Sequence, residues 1–206
     1  MPKAEQKKSM QVAIVKYNAG NIQSVVFALQ RLGVEPVITD NAELLLSADR
    51  VIFPGVGEAS SAMQYLKNKG LDKVIRSLHQ PVLGICLGLQ LMCRHSEEGN
   101  TDCLGIFDVN VKAFDRDSDL KVPHVGWNSI DKLHSPLMIG IEAPAYMYFV
   151  HSYYAEWTPR HAIARCEYGV PFSAGLHKNN FYAVQFHPEK SAEAGSRLLE
   201  NFLKLY

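Results

Sequence analysis

The stretch that decides the fold is Pro81–Cys93, PVLGICLGLQLMC. Val82–Ile85 is an apolar run of the right length for a buried strand. It meets Cys86, and past Leu87 and Gly88 the chain continues as an apolar, helix-like segment, Leu89–Cys93. Gly84 and Gly88 stand two residues either side of Cys86, so the backbone can turn sharply from strand into helix. That is the nucleophile-elbow arrangement, with cysteine in place of serine. At the amino end of a helix, the dipole and free N–H groups favour a thiolate. A buried structural cysteine at a strand end fits the same residues. The GxCxG pattern alone leaves both readings open.

Around this stretch lie 206 residues, 47% hydrophobic and 20% charged, enough for one sizeable core. Lys+Arg and Asp+Glu balance at 21 each, which argues against nucleic acid or an anionic membrane surface as a partner. No apolar run approaches the ~18 residues of a membrane helix. Cys86, Cys93, Cys103 and Cys166 fit neither a zinc spacing nor a disulfide framework. Reduced thiols and a cytoplasmic location are expected. The histidines lack ligand spacing, and no Gly-rich phosphate loop precedes a helix with a lysine, so no metal or other cofactor is expected. Met1–Ser9 (MPKAEQKKS) lacks the character of a signal or transit peptide and reads as a mobile N-terminal extension. Residues 10–206 read as a single domain.

In chain order, Val12–Tyr17 is the first strand and leads into the turn Asn18-Ala19-Gly20-Asn21. Ile22, Val25, Val26, Leu29 and Leu32 then make one apolar helix face, closed by Gly33 in the C′ position. Val34–Thr39 is a second strand, Asn41–Leu46 a short helix capped by Asp40 or Asn41, and Arg50–Phe53 a third strand. Helical stretches at Ala59–Lys69 and Leu71–Leu78 precede the elbow strand. Strands alternating with helices predict βαβ units: an open, mostly parallel α/β sheet with helices on both faces, of flavodoxin-like type. From Leu104 onward the apolar runs are short, β-branched or aromatic, and separated by turns, as in Ile106–Phe114, Tyr146–Val150, Ala162–Cys166, Pro171–His177 and Tyr182–Phe186. Antiparallel strands are therefore expected in the second half, packed on the sheet or extending it. Asp115–Lys121 is a charged, solvated loop, and a last amphipathic helix carries Leu198, Leu199, Phe202, Leu203 and Leu205.

Two loops can reach the elbow, since ligands of open parallel sheets collect beyond the carboxyl ends of the strands. Pro54-Gly55-Val56-Gly57 follows the third strand, and its glycines let backbone N–H groups face a site and hold an oxyanion. A tight turn that needs glycine and nothing more is the other reading. The second loop is Gln185-Phe186-His187-Pro188-Glu189. In an extended segment His187 and Glu189 project to one side, giving a cysteine nucleophile a base and a group to fix its tautomer.

Taken together, GICLGLQL, the PGVG loop and FHPE resemble the class I (triad-type) glutamine amidotransferase family, over a span from about Met10 to Tyr206. YNAGNIQSV, PHVGWN, FVHSYY and HPEKS are similar to the branch of that family whose free-standing glutaminase subunits serve histidine biosynthesis. Lys16, where an acidic residue is usual, and Val125, where methionine is common, depart from the pattern without touching a catalytic role. The resemblance implies that Cys86 attacks the side-chain amide of L-glutamine, with His187 as acid and base and Glu189 orienting it. The Leu87 N–H and one from the Val56–Gly57 peptide would hold the oxyanion. Gln90 and Glu98 would bind the amino-acid end of glutamine, with backbone atoms of Ser152 and Tyr153 completing the pocket. The resemblance also implies a partner, a (β/α)8-barrel cyclase forming a heterodimer with this chain. It would use the ammonia to make imidazole glycerol phosphate and aminoimidazole carboxamide ribotide. Trp127, Asn128 and Tyr148 are candidates for the interface near the ammonia exit; ordinary core packing is the other reading of these three. Other acceptors within the family (anthranilate, aminodeoxychorismate or GMP synthesis) and a catalytically silent binding module of the same fold are the competing readings.

Overall fold

Through the first half, apolar runs and amphipathic segments alternate, and each becomes the element its period dictates. A computed structural model describes residues 10–18, 20, 22–115 and 119–205. Its first half runs β1 (Val12–Val15), α1 (Ile22–Arg31), β2 (Val37–Thr39), α2 (Ala42–Ser47), β3 (Arg50–Phe53), α3 (Ala59–Asn68), α4 (Leu71–Arg76), β4 (Val82–Ile85) and α5 (Leu87–Met92). The extension 1–9, Ala19 and Asn21 of the turn after β1, and 116–118 of the charged loop lie outside the described residues. Helix α1 buries Val25, Val26 and Leu29. It ends where Gly33 takes φ 78° and the Val34 N–H donates back to the Leu29 carbonyl at 3.0 Å. Of the two caps considered for α2, Asn41 serves: its Oδ1 accepts from the Glu43 and Leu44 N–H groups at 2.8 and 3.2 Å. Strand β2 starts at Val37 rather than Val34. The Val34 N–H is taken by the helix end, and Pro36 has no N–H to give a ladder.

The second half adds β5 (His95–Ser96), β6 (Thr101–Asp102), β7 (Asn110–Ala113), β8 (His124–Asp131), β9 (Ala145–His151), β10 (Tyr153–Ala155), β11 (Ala162–Tyr168), β12 (Val170–Lys178), β13 (Phe181–Val184) and α6 (Ala192–Lys204). Nine strands form one sheet in the order β2-β1-β3-β4-β13-β12-β11-β8-β9. Pairing is parallel from β2 to β13 and antiparallel from β13 to β9. The expected antiparallel strands thus extend the parallel sheet. A smaller sheet has the order β10-β7-β5-β6. The stretch PHVGWN is mostly strand: β8 pairs with β9 from His124↔His151 to Ile130↔Ala145. The proline precedes the ladder instead of interrupting it.

Strands covered on both faces send neighbouring residues into opposite cores. Ile14, Ile52 and Ile85 join Val25 and Leu29 of α1 and Leu199 and Phe202 of α6. Val15, Val51 and Phe53 join Leu45, Leu66, Leu71 and Leu91 of α2 to α5. Each such fully buried side chain contributes roughly 1.5–3 kcal/mol. Because β3, β4 and β13 are parallel neighbours, the PGVG loop, Cys86 and His187 all leave the sheet at one edge.

Candidate active site

The site begins with a strained backbone. Cys86 sits at φ 54°, ψ −107° between β4 and α5, a conformation that costs on the order of 1–3 kcal/mol in a residue other than glycine. Helix α5 starts directly at Leu87, two residues earlier than the apolar pattern suggested. Gly88 permits this, because a Cβ there would overlap the Phe53 carbonyl oxygen of β3. The buried Cys86 sulfur lies 3.7 Å from the Val150 carbonyl of β9 and 3.7 Å from Gln185 Nε2.

The extended segment expected through Glu189 does not form: β13 stops at Val184, and His187, itself in extended backbone, precedes a 3-10 turn, Pro188–Lys190, with the proline at its first position. The turn swings Glu189 back so that its Oε1 lies 2.8 Å from His187 Nδ1, both side chains nearly fully buried. Two bonds tie this turn to β9, and a third braces the turn itself. The His187 N–H donates to the Tyr148 carbonyl at 2.9 Å, the Ser191 hydroxyl donates to the His187 carbonyl at 2.6 Å, and Ser191 Oγ accepts the Tyr148 N–H at 2.9 Å. His187 Nε2 has no hydrogen bond of regular geometry and faces Cys86; such contacts tighten when substrate binds. Burial works against charge on His187, but its interactions with Cys86 and Glu189 outweigh that and push its pKa up to about 10. The imidazole therefore holds its proton beside the Cys86 sulfur.

A pocket of about 280 Å³ opens over the sulfur. It is lined by the expected oxyanion residues Val56, Gly57 and Leu87 and by the expected substrate residues Gln90, Glu98, Ser152 and Tyr153. Glu98 Oε2 accepts the Ala59 N–H at 2.8 Å. Burial raises the Glu98 pKa, that N–H draws it back, and Glu58 raises it again. Gln90 Nε2 donates to the Tyr153 carbonyl at 2.9 Å and to Gln185 Oε1 at 3.1 Å. Of the expected oxyanion donors, the Leu87 N–H is already engaged in this conformation. The Leu87 N–H donates to the Gly55 carbonyl at 3.2 Å, and the Val56 carbonyl accepts the Gly20 N–H at 3.2 Å. Gly57 at φ 135° is the point where the loop requires glycine.

The three candidate interface residues separate. Trp127, 54% exposed, meets half-buried Tyr148 edge to face at 6.0 Å on the opposite strand. Asn128 belongs to the other side of β8, where its Nδ2 donates to the Glu167 carbonyl at 3.0 Å and lies 3.3 Å from His124 Nε2. Gln185 and His151 reach the site without having been singled out from sequence. Period-two alternation places Gln185 on the same side of the chain as His187, and that was the signal available. Nothing in FVHSYY marks His151 as lining the pocket.

A cysteine at a strand–helix elbow, an imidazole beside it and a carboxylate behind define a cysteine-dependent amide-cleaving enzyme on a doubly wound sheet. The chain belongs to the class-I glutamine amidotransferase family, whose model matches residues 13–205. It is 60% identical over 197 residues to imidazole glycerol phosphate synthase subunit HisH of Bacteroides fragilis, covering 95% of this chain and all of that one. A protein of the same name from Pasteurella multocida is 49% identical over 94% of this chain and 97% of its own. Among solved structures, a putative GMP synthase component from Thermoplasma acidophilum matches with a TM-score of 0.73 at 21% identity, over 95% of this chain and 92% of that one. PurLQS from Thermotoga maritima matches with a TM-score of 0.72 at 16% identity, over 95% and 98%. At those identities the two structures establish the fold alone. No described helix is long and apolar enough to cross a membrane.

Proposed function

We propose that this chain is the ammonia-producing subunit of a two-protein synthase, hydrolysing L-glutamine for a (β/α)8 cyclase that makes imidazole glycerol phosphate and aminoimidazole carboxamide ribotide in the cytoplasm. The observation that carries this reading is Cys86 on the floor of a pocket with Glu98 among its walls, backed by the buried His187–Glu189 pair. The names of the relatives supply the acceptor.

Glutamine enters with its α-amino group toward the Glu98 carboxylate and its backbone end along Gln90, Ser152 and Tyr153. The Cys86 thiolate attacks the amide carbon, and negative charge develops on the amide oxygen. To receive it, the Gly55 carbonyl must leave the Leu87 N–H, so that this donor and one from the Val56–Gly57 peptide can turn to the oxyanion. Each such donor lowers the barrier by about 2.7–4 kcal/mol, so the loop conformation sets the basal rate. His187 passes its proton to the departing nitrogen, the C–N bond breaks, ammonia leaves and a thioester remains. The neutral imidazole then takes a proton from water as its oxygen attacks, the thiolate is expelled, and glutamate forms. Glu189 keeps the proton on His187 Nδ1 throughout. Residues 10–206 act as one domain, and Trp127 and Tyr148, with Asn128 behind them, line the face that meets the cyclase.

Glutamate release by the purified chain, alone and with the cyclase and its ligand, tests the reading. Strong stimulation by the cyclase, abolished by Cys86→Ala, is expected. Full activity of Cys86→Ala sinks the mechanism, and stimulation by an anthranilate or GMP synthase instead reassigns the acceptor.

A further inference from the structure

Two buried histidines beside the pocket have no part in that mechanism. His124 on β8 and His151 at the end of β9 are register partners, with His124 Nδ1 3.0 Å from His151 Nε2. His151 Nδ1 lies 2.7 Å from the Tyr153 carbonyl, and His124 Nε2 lies 3.3 Å from Asn128 Nδ2. The Asn128 amide is oriented independently, since its Oδ1 accepts the Ser129 N–H at 2.8 Å while Nδ2 serves the Glu167 carbonyl. An amide nitrogen only donates and a carbonyl only accepts, so the two ends fix every proton between them. Asn128 donates to His124 Nε2, His124 Nδ1–H to His151 Nε2, and His151 Nδ1–H to Tyr153. Both rings are neutral, protonated on Nδ1, and satisfied at each nitrogen. A second proton on His151 would set two N–H groups face to face. Burial acts in the same sense, holding His124 down at about 4 and His151 at about 3.

The rings are also held in place. His124 is stacked between Tyr168, at 3.9 Å and 18°, and Phe149, at 4.9 Å and 22°. His151 meets Phe172 at 5.3 Å, steeply tilted. At the far end, the Tyr153 carbonyl takes its second hydrogen bond from Gln90. The chain of bonds therefore ends on the turn between β9 and β10 that forms one wall of the pocket.

We propose that His124 and His151 are positioning residues for glutamine, a one-directional relay from Asn128 that fixes the Tyr153 carbonyl and, through it, the Gln90 side chain. The inference rests on glutamine occupying this pocket, as proposed above. His151→Phe keeps an aromatic ring and loses both hydrogen bonds; His151→Asn keeps a donor near the place of Nδ1. In complex with the cyclase, His151→Phe is expected to raise KM for glutamine about tenfold or more, the worth of a lost buried hydrogen bond, and to change kcat less. His151→Asn recovers most of the KM. The proposal is overturned if His151→Phe leaves KM unchanged, if KM, kcat and Tm all deteriorate together, or if His151→Asn is no better than His151→Phe. Should the variants not fold, the unaltered chain decides. Proton–nitrogen NMR is expected to show His124 and His151 both protonated on Nδ1 alone, and an Nε2–H on either ring breaks the relay. A wild-type complex that hydrolyses no glutamine overturns the functional reading instead, and leaves the tautomers still readable.

Discussion

His187 closes the parallel half of the sheet and His151 the antiparallel half. Both are buried close to Cys86, yet they hold opposite charge states. His187 faces a carboxylate and the nucleophilic sulfur, which overrule the cost of burying its charge. His151 faces a carbonyl and another imidazole, and burial prevails. With the same side chain and similar burial, the partner's charge decides whether a histidine carries a proton or holds a wall. In the mechanism proposed above, one half of the molecule supplies the proton that moves, and the other supplies a surface that does not.

The largest effect is expected where one environment is converted into the other. Glu189→Gln gives His187 a neutral partner of the same shape and lets the wrong tautomer form. We expect kcat in the complex to fall by about 10³- to 10⁴-fold, as for the corresponding change in serine-type triads, with KM near its original value. A loss below tenfold in steady-state assays breaks the comparison. Gln185 spans both halves, with Nε2 on the Cys86 sulfur and Oε1 on Gln90. Gln185→Met keeps its length and removes both bonds, so kcat/KM should fall roughly ten- to thirtyfold. Alkylation of Cys86 should slow in parallel, and an unchanged alkylation rate would mean that the sulfur contact is passive.

On the outer face of the antiparallel half, Trp127 and Val125 are both more than half exposed, and Lys190 Nζ lies 5.9 Å above the Tyr148 ring. An exposed tryptophan beside a tyrosine and a cation is the composition of an interface anchor. Trp127→Ala should weaken cyclase binding about tenfold in a titration calorimeter while leaving the Tm of the isolated chain unmoved. A drop in Tm with unchanged affinity would assign Trp127 to the fold instead.

Legibility divides along the same line. The parallel half could be read because its chemistry is local: strand, glycine, cysteine, glycine and helix lie in one short stretch, and His187 and Glu189 stand two apart. Even there, the carboxylate approaches by another route, since the turn at Pro188 brings Glu189 round where an extended strand was expected. The antiparallel half resisted reading because its chemistry is made by register. His124 meets His151 only because β8 and β9 pair at that residue, and no short pattern in PHVGWN or FVHSYY announces the pairing. For the same reason Asn128 and Trp127, adjacent in sequence, serve opposite sides of one strand. The Leu87 N–H shows a third limit, because its bond to Gly55 depends on the path of the PGVG loop.

The smallest expected effect separates the two histidine environments by the direction in which each responds to pH. An unfolded histidine titrates near 6.5. His187, raised to about 10 in the folded chain, contributes stability that is fully present below 6.5 and is lost as pH rises toward 10. His124 and His151, lowered to about 4 and about 3, contribute stability that is fully present above 6.5 and is lost as pH falls toward 4 and then 3. Each group taking up a proton in only one state tilts the unfolding free energy by at most about 1.4 kcal/mol per pH unit. Urea midpoints measured from pH 4 to 9 should therefore fall at both ends. Glu189→Gln should flatten the alkaline limb alone, and His124→Phe the acid limb alone. If either variant flattens the opposite limb, the charge states assigned to the two regions are reversed. Carboxylates elsewhere also titrate in acid, so the difference between variant and unaltered chain, rather than the limb itself, carries the result.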